Sequence, residues 1–173
     1  MPSHYRLVEK IGCKAVRMTL RVLLLLLTAL CTSVTFASET ATVTRVVDGD
    51  TLVVDMAGQE ERVRLIGVDT PETVHPNKPV EYFGKEASAF TKRLAEGETV
   101  RLESDSQNSN RDRYNRLLRY VYLPDGTCLN EEIIRQGYGF AYVKYPFSRM
   151  EEYRLLQRAA REEGRGLWQQ SNP

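Results

Sequence analysis

The stretch Arg62-Val63-Arg64-Leu65-Ile66-Gly67-Val68-Asp69-Thr70-Pro71-Glu72 constrains the fold more than any other part of the chain. Its first half alternates charged with β-branched or aliphatic side chains, the period of a strand with one buried face. Pro71 then has no N–H with which to continue a ladder. A strand therefore ends where two acids begin. Asp69 and Glu72 flank a Thr-Pro turn and address one small volume, and Arg64 reaches the same space if the sheet curls. Two carboxylates and a guanidinium suggest cation and phosphate chemistry, because a planar fork matches phosphate oxygens and hard carboxylate oxygens suit Ca²⁺ or Mg²⁺. The same residues also read as an ion-paired strand running into a surface turn, so other segments must decide.

A chain of 173 residues, 42% apolar, is long enough for one proper core, and no repeat or low-complexity run divides it. Its N-terminus reads as a secretory signal over residues 1–37. Arg17 and Arg21 precede the run Val22 to Leu30, a small-residue exit follows at Ala37, and the apolar stretch is short for a membrane span. Met18 would start a more compact signal, so Met1 and Met18 stand as alternative starts, residues 1–17 being an over-called start on the second. Residues 38–173 then form a single domain that keeps 19 of the 24 Lys and Arg and 22 of the 23 Asp and Glu, a net charge of −3. Bulk electrostatics therefore cannot hold a polyanion here; local clusters or a bound cation must. Cys13 and Cys31 leave with the signal, and the remaining Cys128 reads as a buried structural thiol.

The domain opens as a meander. Ala41 to Val47 is β-branched, Asp48-Gly49-Asp50 is a turn that draws on glycine's freedom, Thr51 to Asp55 is a second strand, and Ala57-Gly58-Gln59 leads into the third. Asp50 and Asp69 would then share one end of the sheet. Thr73 to Pro79 reads as a Pro-rich loop in which His75 is solvated. Residues 84–96 have helical spacing, with Ala87, Phe90 and Leu94 on one face and Gly97 as the stop. Thr99 to Glu103 resumes strand alternation, and Ser104 to Asn110 is a polar loop. It delivers Arg111-Asp112-Arg113-Tyr114-Asn115-Arg116, suited to stacking a base and forking its phosphates, beside the strand Leu117 to Leu123. Asn130 is placed to cap a helix over 131–136 that Gly137 ends, and Ser148 to Glu151 has the form of a capping box opening a last helix that Gly164 stops. Leu167-Trp168 folds back on the core.

Five strands with about three helices, one inserted after the third strand and others after the fifth, give an α+β chain: a mainly β, five-stranded OB-fold barrel. Val47 to Thr51, Val63 to Thr73, Phe83 to Phe90, Asp112 to Arg116, and Asn130-Glu131 with Arg135-Gln136-Gly137 together resemble the staphylococcal nuclease (thermonuclease) family, in that family's order and across residues 43–168. The resemblance implies a Ca²⁺-dependent nuclease acting on DNA and RNA, endo- and exonucleolytically, at the P–O5′ bond to leave 3′-phosphates. It implies Ca²⁺ held by Asp50, Asp69 and the main-chain carbonyl of Thr70. Glu72 would orient or deprotonate the attacking water, while Arg64 and Arg116 bind the scissile phosphate. Tyr114, Tyr142 and Lys78 would border the nucleotide pocket, with Arg113 beside them as a further substrate contact.

The chemistry agrees with those roles. Phosphodiesters repel hydroxide, so the site needs positive charge before it needs a base; Ca²⁺ and two arginines outweigh the aspartates and favour the more negative transition state. The chain departs from the family's pattern at Asn115, where glycine is usual, which implies a left-handed backbone that Asn tolerates. It also departs near Tyr142, where the chain is one residue shorter and Lys144 stands for a second tyrosine, leaving Tyr142 and Tyr145 as rival pocket residues. The expected protein is a monomer, secreted or periplasmic, with single-stranded or frayed DNA and RNA as partners. An inactive OB-fold module that only binds nucleic acid or a protein is the alternative. It sits poorly with five intact acids and arginines.

Overall fold

The computed structural model describes residues 39–73 and 81–169; the expected signal segment and the expected loop with His75 and Lys78 lie outside these residues. Seven strands and three helices follow in order: β1 Glu39–Asp48, β2 Thr51–Met56, β3 Gln59–Leu65, β4 Val68–Asp69, α1 Gly84–Ala95, β5 Thr99–Glu103, β6 Leu117–Tyr122, α2 Leu129–Arg135, β7 Phe140–Ala141 and α3 Met150–Glu162. Five of the strands close a barrel in the order β1-β2-β3-β6-β5, and β4 pairs with β7 as a small separate sheet. The expected five-stranded OB-type barrel with three helices is the observed architecture.

Closure follows from the pairing. β1 is antiparallel to both β2 and β5, and β6 runs parallel to β3 with Arg64 opposite Leu118. Register slips between Val43 and Arg45 and between Val46 and Asp48 bend β1 enough to serve both neighbours. Inside lie Val43, Leu52, Val54, Val63, Leu65, Leu102 and Val121, all buried; they are the apolar members of the alternations seen in the sequence. The amphipathic α1 closes one side through Ala87, Phe90 and Ala95, with Phe90 stacked on Tyr138 at 4.0 Å. Leu167 N–H donates to the Gly137 carbonyl at 2.9 Å, and Trp168 meets Phe140 edge-on, so the C-terminal turn folds back as expected.

Three local expectations are corrected. The third strand does not run unbroken into Val68. It stops at Leu65, and Gly67 (φ +71°) redirects the chain into β4, where Asp69 pairs with Phe140 of β7. Asn130 is not a cap: α2 begins a residue earlier and Asn130 is buried within it. Its Oδ1 accepts from Val121 N–H, and its Nδ2 donates to the carbonyls of Ile66 and Arg119, which ties the strand break to β6. Ser148 is not a capping box either, because α3 starts at Met150 without a side-chain cap. The Ser148 hydroxyl instead donates to Asp105.

Asp105 organises the polar loop. Its carboxylate accepts from Tyr120 Oη (2.5 Å), Ser148 N–H (2.7 Å), Ser148 Oγ (2.9 Å) and Gln107 N–H (2.7 Å), joining loop 104–110 to β6 and the start of α3. Burial pushes its pKa up, but these hydrogen bonds outweigh burial and hold it below the ordinary 3.8. A depressed carboxylate stabilises the fold fully above the unfolded value and loses that contribution as pH falls through the folded one. Asp105→Asn, which sets a donor among donors, is expected to cost about 2 kcal/mol at neutral pH. The gap to wild type in urea denaturation should hold down to about pH 4 and narrow below it.

Candidate active site

Sheet geometry brings the acids and Arg64 together. Asp50 leads into β2, whose Thr51 pairs across with Arg64 of β3, and Asp69 returns beside them on β4. Arg64 then forks: Nη1 lies 2.8 Å from Asp50 Oδ2 and Nη2 lies 2.9 Å from Asp69 Oδ1, while Nη1 also donates to the Val68 carbonyl at 2.7 Å. Asp50 is buried and its orientation fixed, accepting from Thr51 Oγ1 at 2.9 Å, Thr70 N–H at 3.0 Å and Thr70 Oγ1 at 3.2 Å. Gly49, in the turn before it, needs glycine for space rather than for a left-handed φ. A Cβ there would lie 2.7 to 2.9 Å from the Thr70 side chain, so the two halves of the site pack directly on one another.

The arginine of the second cluster arrives from the tip between β5 and β6. Asp112 holds it: Arg116 Nε and Nη2 each lie 2.7 Å from Asp112 Oδ2, and Oδ1 accepts from the N–H groups of Tyr114 and Arg116. Burial raises the Asp112 pKa, but bonds from Arg116 and Tyr114 bring it below its ordinary value. Arg116 Nη1 also approaches Thr51 Oγ1 at 3.5 Å, and so meets the residue opposite Arg64. Asn115 has φ +63°, the left-handed backbone that its place in the turn implies. Tyr114 is exposed, with Arg113 Nη2 on its hydroxyl at 2.6 Å and the Arg113 and Arg116 guanidinium carbons 4.7 and 5.3 Å from its ring centre.

Two adjoining hollows share Arg64, Asp69, Tyr114 and Arg116 as a common wall. One, of about 430 Å³, is acid-lined by Asp48, Asp50 and Glu72, with Thr70 among them. The other, of about 520 Å³, is a groove bordered by Arg113, Tyr142 and Tyr145 and by the segment Gln107–Ser109. Tyr142 and Tyr145 are therefore not rivals: both line the groove, with ring centres 6.0 Å apart. Tyr142 is set by its N–H, which donates to the Gly67 carbonyl at 2.9 Å.

The acid side is charge-crowded. Burial, with the Glu72 carboxyl and Asp50 beside it, lifts Asp48 to about 6 against the hydrogen bonds from Thr73 and Gly49. Burial also raises Asp69, more than Arg64 lowers it, with Asp50 adding to the rise. Such a cluster gains from added positive charge. Among the described residues no three His, Cys, Asp or Glu side chains form a ready cage. The donors on offer are carboxylate, hydroxyl and carbonyl oxygens, a set that suits Ca²⁺ completed by water and not Zn²⁺. Asp48, Thr51 and Asp112 line or support the site without having been given a role from the sequence; the Asp-Gly-Asp turn was the signal for the first. Cys128 is buried as expected, its thiol pushed up to about 11 by burial.

A closed OB-type barrel bearing forked arginines over acids, beside an aromatic groove, defines a phosphodiester-processing protein of the nucleic-acid-binding barrel class. Comparison with known proteins gives the family. The profile described as "Staphylococcal nuclease homologue" matches residues 62–170. The chain is 44% identical over 131 residues to a thermonuclease of Staphylococcus hyicus, covering 75% of this chain and 76% of that protein. It is equally identical over 135 residues to a thermonuclease of Staphylococcus intermedius, covering 76% and 77%. It is 37% identical over 132 residues to the endonuclease YncB of Bacillus subtilis (strain 168), covering 75% of this chain and 62% of that one. The chain belongs to the staphylococcal nuclease family.

Proposed function

We propose that this nuclease is Ca²⁺-dependent and hydrolyses the P–O5′ bonds of single-stranded or frayed DNA and RNA to leave 3′-phosphate ends. The observation that carries the reading is the shared wall: Arg64 and Arg116 stand between an acid-lined hollow and an aromatic groove. A strand whose bases lie against Tyr114, Tyr142 and Tyr145 brings a phosphate to both guanidiniums, which gather the charge that builds on its oxygens during attack. Glu72, on the acid side, takes the proton of the attacking water as its oxygen bonds to phosphorus; the P–O5′ bond breaks, and O5′ takes a proton from solvent water to leave as an alcohol. Asp50, Asp69 and the Thr70 carbonyl would hold Ca²⁺, which when bound supplies further positive charge against the phosphate. Lys78 is proposed as an added phosphate contact.

The test is digestion of heat-denatured DNA and of RNA with Ca²⁺ or with EGTA, followed by end analysis. Cleavage in Ca²⁺ alone, with ends that block primer extension until phosphatase treatment, is the expected result. A folded protein that binds single strands without cutting them would favour the inactive module. Because local arginines and not the domain charge of −3 must meet the phosphates, binding is expected to weaken as salt rises with a slope set by those few contacts. Secretion to the periplasm or medium as a monomer is likewise proposed, on the basic, apolar and small-residue order of residues 17–37. N-terminal sequencing of the exported protein should begin near Ser38.

A further inference from the structure

Arg111 makes contacts that the catalytic reading does not use. Its Nη1 and Nη2 meet Glu61 Oε2 and Oε1 at 2.8 and 2.7 Å, a two-bond fork between residues fifty positions apart. The same Nη1 donates to the Asn115 carbonyl at 2.9 Å, the peptide group that leads directly into Arg116. Asn115 is the left-handed residue of the tip. Within the tip, Asp112 N–H donates to the Arg116 carbonyl and Asn115 N–H to the Asp112 carbonyl, and its base is joined to the start of β6 by the Arg111–Leu117 bridge and by Leu118 N–H on the Asn110 carbonyl. Such a turn has a fixed shape but needs fixing to the barrel. On its exit side β6 does this by pairing with β3, and on its entry side the long polar loop 104–110 arrives. Glu61 lies on β3, three residues before Arg64. One rigid strand thus carries one phosphate-binding arginine and the anchor for the turn that carries the other.

We propose that Glu61 and Arg111 are positioning residues: their fork sets Arg116 and Tyr114 at the spacing from Arg64 that cleavage requires. The inference rests on the nuclease reading above. A partly exposed ion pair contributes little to global stability, whereas displacement of a charge donor by about 1 Å costs far more in rate than in binding. The pair should therefore show a signature that a merely structural bridge would not.

The experiment takes Glu61→Gln, Arg111→Met and the double variant of the full chain through steady-state cleavage of a single-stranded oligonucleotide with Ca²⁺, beside thermal denaturation. Each single variant is expected to lose about tenfold in kcat, with KM changed less than about threefold and Tm by less than about 3 °C. The double variant should be no slower than the worse single, because both substitutions open the same clamp. In parallel, the Arg116 Nε–H resonance, fixed in the wild type by Asp112, should shift or broaden in all three; this readout does not depend on turnover. Singles within twofold of wild type, a double loss equal to the product of the single losses, or an unchanged Arg116 resonance would overturn the proposal. A wild type that fails to cut while the resonance responds would sink the nuclease reading and leave the clamp standing.

Discussion

Arg64→Ala is expected to lower kcat/KM for single-stranded DNA by about a hundred- to a thousandfold, the loss typical of one preorganised charge donor at a developing anion. Arg64→Lys should recover little of it. The observed geometry uses both ends of a planar fork, one nitrogen 2.8 Å from Asp50 and the other 2.9 Å from Asp69, with a third bond to the Val68 carbonyl. An ammonium supplies a point charge and cannot span those partners. The same variant separates two jobs. Asp50 is buried, and without Arg64 it and Asp69 face each other with less compensating charge. Thermal stability in EGTA should therefore fall, and the gain on adding Ca²⁺ should exceed that of wild type, since a ligand that binds only the folded state stabilises it by mass action. Denaturation scans against Ca²⁺ concentration read this without any substrate. An alanine variant with near-normal turnover would remove Arg64 from the phosphate-binding role, and an unchanged response to Ca²⁺ would show that it does not compete for the acids.

What the sequence made legible was whatever local chemistry decides. Alternation over Arg62 to Leu65 marked the strand and Arg64, because a half-buried ladder leaves its mark in adjacent residues, whereas the end it was given at Pro71 missed the break at Gly67. The left-handed Asn115 was legible for the same reason. Asn130 and Ser148 were misread because each carries the local signal of a helix cap while tertiary partners outbid it. Asn130 serves three backbone groups in the core, where an unpaired group is expensive. Asp105 was hidden in a polar run whose neighbours gave no hint that Tyr120 and Ser148 would converge on it. The Glu61–Arg111 fork was out of reach altogether: fifty residues separate its ends, and no periodicity encodes which charges meet when a barrel closes.

Gly67 joins the two kinds of information, and its replacement should give a large stability change. Its φ of +71° costs any L-residue about 1–2 kcal/mol. A Cβ there would also lie 2.5 Å from Phe147 Cζ, 2.7 Å from Phe147 Cε2 and 2.9 Å from Tyr153 Cδ2. Both rings are buried in the core and have no free volume into which to retreat, so overpacking adds about 1–3 kcal/mol. Gly67→Ala is therefore expected to cost about 3–4 kcal/mol in urea denaturation. Gly58→Ala supplies the control: its φ is +86°, yet nothing lies within 4 Å of the added carbon, so it should lose only the backbone strain. The difference between the two variants measures how rigidly Phe147 and Tyr153 are held. Function should follow through geometry, because the Gly67 carbonyl accepts from Tyr142 N–H and the chain reaches Asp69 two residues later. A Gly67→Ala protein still folded at low temperature should therefore bind single strands more weakly. If both alanine variants lose the same stability, the rings yield, and the break between β3 and β4 owes its form to backbone conformation alone.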